Sequence, residues 1–202
     1  MKKKIILIGG GSHANSCAEL IEQENIYSIL GIIDEKKPRK GILQKYKYLG
    51  RDLNLIKLKK KVRFAIVTIG HIEKPLIRKK LFNKIEKLKF KIPIITSPLS
   101  LVSKNSKIGI GTMIFHNVII NSNVNIGKNC IINNKALIEH DVKIGDNSHI
   151  STGCLVNGST KIGSNTFIGS GSVIKNNIIV GNNCFIRMGT IVSKNIPNNS
   201  RF

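Results

Sequence analysis

The fold is decided by residues 138–151, Ile138-Glu139-His140-Asp141-Val142-Lys143-Ile144-Gly145-Asp146-Asn147-Ser148-His149-Ile150-Ser151. Isoleucine stands at 138, 144 and 150, six residues apart. The interval holds outward without a gap, through Val102, Ile108, Ile114, Ile120, Ile126 and Ile132 before the stretch. After it come Val156, Ile162, Ile168, Ile174, Val180, Ile186 and Val192. A helix repeats near 3.6 residues and a strand at 2, so six fits neither. It fits a β-solenoid in which each hexad makes one short strand and one turn. The aliphatic residue then points inward. A small or β-branched residue follows four positions later, as at Thr112, Val118, Val124, Cys130, Ala136, Val142, Cys154, Thr160 and Thr190. Glycine or asparagine near the aliphatic residue, as in Ile108-Gly109, Ile126-Gly127, Ile144-Gly145 and Ile162-Gly163, is expected to supply positive φ at the corners. Sixteen such hexads, three to a coil, predict about five coils.

Upstream of Val102 the pattern changes. A strand over Lys4–Ile8 runs into Gly9-Gly10-Gly11-Ser12-His13, and a helix over 14–24 carries Cys17, Leu20 and Ile21 on one face. A second strand, Leu30–Ile33, ends at Asp34-Glu35, and a third, Phe64–Ile69, ends at Gly70-His71. A basic helix over about 75–88 with Leu76, Ile77, Leu81 and Ile85 follows, then a strand near Ile92–Ile95. This βαβ order predicts a small parallel sheet flanked by helices. The chain therefore reads as an α/β domain over 1–98 and an all-β parallel β-helix over 99–202.

Composition excludes several classes. Hydrophobic residues make up 41% of the 202, enough for a core. No apolar run is long enough to span a bilayer. Met1-Lys2-Lys3-Lys4 precedes too short an apolar stretch for a signal peptide, so a cytoplasmic protein is expected. The four cysteines lack CxxC spacing, and Cys130, Cys154 and Cys184 share one hexad phase, as core residues would. The net charge of +22 suits phosphorylated ligands, but it also reflects a general richness in Lys, Ile and Asn. Aromatics are only 5%, without nucleic-acid-binding motifs, so neither nucleic-acid binding nor membrane insertion is expected.

The hexad repeat resembles the left-handed β-helix of hexapeptide-repeat acyltransferases, typically trimers that hold acetyl-CoA between neighbouring helices. With the front half, the likeness narrows to the NeuD/PglD-like family of sugar O- or N-acetyltransferases. The residues that carry it are Gly9-Gly10-Gly11-Ser12-His13, the strand end at Asp34, Ile69-Gly70-His71 followed by Arg78, and the stretch 138–151. The resemblance implies a Rossmann-like domain that binds a nucleotide-sugar acceptor over 1–98. It also implies an acetyl-CoA-binding catalytic domain over 99–202, and a homotrimer with active sites between subunits.

Acetyl transfer from a thioester needs a base for the nucleophile's proton and donors for the developing oxyanion. His140 occupies the third, outward-facing position of its hexad, and Asp141 beside it can orient the imidazole. By resemblance these are the catalytic histidine and its supporting carboxylate. Gly158 lies 18 residues on, one coil away and about 4.8 Å along the stack. It falls where the family has an oxyanion donor; a plain corner glycine is the other reading. The resemblance also implies His149 and Gly153 on the acetyl-CoA side and Asn133 on the acceptor side, whereas His116 has no counterpart. No metal is expected, because His116, His140 and His149 differ in spacing and phase from a converging zinc triad.

The glycine turn at 9–13 suits phosphates at a helix N-terminus. Ala14 and Asn15 break a GxGxxG pattern, which argues against a dinucleotide. The resemblance assigns the acceptor's nucleotide to Gly9, Gly11, Ser12, His13 and Asp34. Ser12 departs from a common second glycine, Arg187-Met188 replaces small residues along the CoA path, and the chain stops at Ser200-Arg201-Phe202. The expected reaction is N-acetylation of a nucleotide-linked amino sugar, such as a 4-amino-4,6-dideoxyhexose, for surface glycans. O-acetylation of a sialic acid and a non-catalytic trimeric scaffold are the alternatives.

Overall fold

The computed structural model describes residues 2–38, 41–73 and 75–202, and the chain divides into two units. One comprises 1–70 and 76–95; the other comprises 71–75 and 96–202.

In the first unit, β1 (Lys3–Ile8) buries Ile5, Ile6, Leu7 and Ile8 almost completely. Such a continuous apolar run belongs to a central parallel strand covered on both faces. It lies between β2 (Tyr27–Ile33) and β4 (Phe64–Val67), and the edge strand β3 (Tyr48–Gly50) completes the order β3-β2-β1-β4. All pairs are parallel. The polar context of Tyr48–Gly50 hid β3 in the sequence. Helix α1 (Ser12–Glu24) packs Ala14, Cys17, Ala18, Leu20 and Ile21 inward and ends at Asn25, whose φ of 64° closes the last turn.

Two sequence expectations differ here. Helix α3 (Leu76–Lys87) buries Arg78, Phe82 and Ile85, while Leu76 and Ile77 stay exposed. The Arg78 guanidinium donates to Val67 O at 3.0 Å and Ile69 O at 2.8 Å, which turns its row of the helix inward. The strand expected over 92–95 does not extend the front sheet, where only an isolated bridge from Phe64 to Lys91 follows β4. Ile95–Thr96 instead heads one face of the β-helix, and the units divide across that strand.

The second unit is a three-sided prism of two-residue strands. Its first face stacks Lys107–Ile108, Asn125–Ile126, Lys143–Ile144, Lys161–Ile162 and Ile179–Val180. The second face runs from Ile95–Thr96 through His149–Ile150 to Phe185–Ile186. The third runs from Leu101–Val102 through Leu137–Ile138 to Ile191–Val192. Every rung pairs in parallel with the one 18 residues away, as in Ile126↔Ile144 and Ile138↔Val156. Inward aliphatics and the small residues four positions on form one buried column that includes Cys130, Cys154 and Cys184. Burial pushes the thiol of Cys154 up to about 11 and that of Cys17 to about 12, which leaves them inert as nucleophiles.

The corners correct the expected role of the glycines. From Ile108 to Ile186, positive φ falls three residues after each inward aliphatic, at Gly111, Asn117, Asn123, Asn129, Lys135, Asp141, Asn147, Gly153, Ser159 and onward to Gly189. Gly109, Gly127, Gly145, Gly163 and Gly181 are absent from that series. They are required by space: a Cβ on Gly163 would lie 2.5 Å from the Gly181 carbonyl carbon one coil away.

Candidate active site

His140 follows the third face and begins the corner that leads into the first. Its side chain is 59% exposed, so the prism core makes no claim on it. Asp141 takes the left-handed turn position with φ 63°. That turn brings its Oδ2 to 2.8 Å from His140 Nδ1. Asn123, one coil earlier, donates its amide to Asp141 Oδ1. The hydrogen bond to His140, then that from Asn123, holds the Asp141 carboxyl below the usual Asp value. A charged carboxylate facing Nδ1 favours the tautomer with the proton there, which leaves the Nε2 lone pair outward.

Gly158 stacks on this corner. A Cβ there would stand 2.7 Å from His140 Cε1 and 2.8 Å from Nε2, so only glycine admits the ring as it sits. The Gly158 N–H has no acceptor among the described residues, whereas the neighbouring Ser159 N–H donates to His140 O at 2.9 Å. Gly158 is not among the positive-φ residues, so the plain corner-glycine reading does not account for it. Around the pair lies a surface pocket of about 330 Å³ lined by Glu139, His140, Asn157, Gly158, Ser159, Asn176 and Asn177. Glu139 escaped the sequence reading. Its Oε2 accepts from Asn121 Nδ2 at 2.8 Å, and the 18-residue interval that identifies Gly158 also relates these two.

The remaining candidates in this unit lie elsewhere on the prism. His149 is the outward residue of a second-face rung, yet it is only 6% exposed. His71 accounts for part of this: His149 Nδ1 donates to His71 O at 2.7 Å, and the two rings meet edge to face at 5.4 Å. The Phe167 ring contacts its other side, with centroids 5.2 Å apart. Gly153 and Asn133 occupy the corner between second and third faces. Gly153 has φ 67° and open space beside it, while Asn133 Oδ1 accepts from Asn134 N at 2.8 Å. Met188, on the same corner, is 80% exposed. Within one chain, therefore, His140, Asp141 and Gly158 come together, and His149, Gly153 and Asn133 line other edges. His116 pairs its Nδ1 with Ser97 Oγ at 2.7 Å.

In the first unit the candidate acceptor residues converge at the carboxyl ends of β1, β2 and β4, the place where open α/β sheets bind ligands. Gly9 has φ 110°, and a Cβ there would overlap Ile69. The Gly10 N–H donates to Asp34 Oδ2, and Lys36 N–H reaches Asp34 Oδ1 at 3.3 Å. Asp34 thus holds the glycine turn in shape. Gly11 has nothing within 4 Å of a Cβ position, and α1 begins at Ser12 without a side-chain cap. Open N–H groups at a helix start attract anionic oxygens. The His13 ring stands against Gly70, where a Cβ would lie 3.1 Å from Cγ.

Residues 4–85 match the family model of the PglD N-terminal domain, and residues 96–200 match that of the GMPPB C-terminal domain. No curated protein matches in sequence. Among solved structures, the acetyltransferase domain of PglB from Neisseria gonorrhoeae in complex with acetyl coenzyme A is 25% identical. That match has a TM-score of 0.91 and covers 100% of this chain and 96% of that one. A mutant of perosamine N-acetyltransferase from Caulobacter crescentus, in complex with CoA and GDP-perosamine, is 24% identical. Its TM-score is 0.91, with 98% and 92% of the chains covered. WeeI from Acinetobacter baumannii is 23% identical at a TM-score of 0.82, covering 99% and 96%. The prism is accordingly a left-handed parallel β-helix.

Proposed function

With its residues 96–200 in the GMPPB C-terminal domain family and its front matching the PglD N-terminal domain, the chain belongs to the NeuD/PglD-like hexapeptide-repeat sugar acetyltransferases, and we propose that it acetylates the amine of a nucleotide-linked amino sugar from acetyl-CoA. The observation that carries this is the oriented His140–Asp141 pair, its ring packed where a Cβ on Gly158 would stand, in a solvent-open pocket.

His140 Nε2 takes a proton from the sugar amine as its nitrogen attacks the thioester carbonyl. Asp141 stabilises the imidazolium that forms. The Gly158 N–H donates to the tetrahedral oxyanion. As the carbon–sulfur bond breaks, the imidazolium returns the proton to the leaving thiolate. No acyl-enzyme is needed, since among the described residues no cysteine or serine pairs with a base at this corner. The uncapped start of α1 and the Gly9–His13 turn receive the acceptor's diphosphate, Asp34 keeps that turn in shape, and Asn133 contacts the acceptor. The parent molecules for this chemistry are the acetyl-CoA and GDP-perosamine held by the similar proteins.

Three copies complete the site. The outward residues of the third face, Leu101, Ile119, Leu137, Leu155, Val173 and Ile191, form an apolar ladder exposed to water. His140 borders that face on one edge and Gly153 on the other. Three prisms packed through this face therefore bring the His140 corner of one subunit to the Gly153 corner of the next. Acetyl-CoA lies in the cleft between them with Gly153 on its side, while His149, covered by His71 and Phe167, stays out of contact with it. We assign the protein to surface-glycan synthesis in the cytoplasm, where acetyl-CoA and nucleotide sugars are both supplied.

The test is thiol release from acetyl-CoA with UDP-, GDP- and dTDP-linked 4-amino-6-deoxysugars and free sialic acid. Turnover with a nucleotide amino sugar, abolished by His140→Ala, supports the proposal. Turnover with sialic acid alone, or an equally active His140→Ala variant, overturns it.

A further inference from the structure

The cationic side chains are unevenly distributed. Residues 1–95 hold 23 of the 33 Lys and Arg against 8 Asp and Glu, while residues 96–202 hold 10 against 3. A uniform drift toward lysine would load both parts alike. On the first unit, part of this charge borders exposed aliphatic side chains. A 3-10 turn over Asp52–Asn54 runs into α2 (Leu55–Lys59), which buries Leu55. On the opposite side Leu53 is 85% exposed and Ile56 66%. Lys57 and Lys60 continue that row at helical spacing. Helix α3, having turned Arg78, Phe82 and Ile85 inward, leaves Leu76 and Ile77 exposed along with Lys80 and Lys87. Lys84 Nζ lies 3.1 Å from Asp52 Oδ2, so the two elements that carry these rows lie side by side. Among the described residues Lys57, Lys60, Lys80 and Lys87 make no ion pair.

We propose that this surface adsorbs to an anionic phospholipid bilayer. Lysine is depleted from the centres of protein–protein interfaces, and the rows contain none of the aromatics on which nucleobases stack. A polar–apolar boundary suits both residue types at once. The aliphatic side chains enter the headgroup region and the lysine ammonium groups stay with the lipid phosphates. Attachment is peripheral, and it is independent of the acetyl-transfer reading.

The experiment is co-sedimentation of the full chain with phosphatidylcholine vesicles, with and without phosphatidylglycerol. Binding is expected only where phosphatidylglycerol is present, weakening as salt rises. Each Lys→Gln change at 57, 60, 80 or 87 lowers partition roughly fivefold. Leu53→Ser with Ile56→Ser lowers it roughly tenfold, because aliphatic burial contributes beside charge. Circular dichroism and vesicle-free thiol release from each variant separate loss of adsorption from loss of fold or of catalysis. Absence of binding to phosphatidylglycerol vesicles overturns the proposal. So does full binding by the double serine variant with equal competition from DNA, which would make the surface a general polyanion binder.

Discussion

At His140 the geometry separates what the ring does from what holds it. The exposed imidazole contributes little to packing, so His140→Ala should lower kcat by about 10²–10⁴ while the circular dichroism of the fold is retained. Gly158→Ala tests the same atoms by crowding. Its Cβ would lie 2.7 Å from Cε1, so the ring must swing away. Turnover should fall while acetyl-CoA still binds, as calorimetry would show. Asp141 yields a pH prediction. Its folded-state carboxyl sits below the ordinary value of 3.8, mainly through the hydrogen bond from His140. That contribution is present above the unfolded value and lost as pH falls through the lowered one. Thermal melts of wild type and Asp141→Asn should therefore differ at neutral pH and converge in strong acid. The period of six turned His140 outward and stacked Gly158 beside it, while the family resemblance singled out His140 and Asp141. Glu139 and the pocket asparagines obey the same interval of eighteen, Asn157 after Glu139 and Asn176 after Gly158, but with Asn recurring throughout the chain nothing in their chemistry singled them out.

Among the elements, the corners show that two glycines of one repeat answer different demands. Gly171 has φ 69° with open space around it, so Gly171→Ala meets only backbone strain, about 1 kcal/mol. Gly163 has no such φ, but its Cβ would lie 2.5 Å from Asn182 N and from the Gly181 carbonyl carbon. Backbone cannot yield as a side chain can, so Gly163→Ala should lower the melting temperature considerably more. A reversal of that order in calorimetry would show that the coils can spread apart. Helix α3 carries a related lesson. Its hydrophobic pattern pointed to Leu76 and Ile77 as core, but the carbonyls of Val67 and Ile69 need a donor, and Arg78 reaches them. Two buried carbonyls left unpaired would cost about 1–3 kcal/mol each, comparable with leaving two aliphatics in water.

For the molecule as a whole, the three faces of the prism carry different outward residues. The first presents Lys107, Asn125, Lys143 and Lys161, and the second has buried ones, His149 among them. The third keeps its aliphatic ladder in water, with Ile191 72% exposed. If that face joins three copies, Ile119→Asp combined with Leu155→Asp should give a folded monomer in sedimentation velocity, with acetyl transfer lost although His140 is untouched. A trimer that survives both charges would place the interface on another face.

The sequence by itself determined the β-helix, its coil count, the parallel front sheet and the His140–Asp141–Gly158 corner. The front sheet follows from the βαβ order, and the rest from covalent spacing: six residues make a side of the prism and eighteen a coil, so positions along the chain translate directly into neighbours. Only the tertiary structure decided that His71 lies over His149, that Asp34 holds the Gly10 N–H, and that Arg78 points inward. Those contacts join residues whose separation has no period, and burial of polar groups that must find partners selects them.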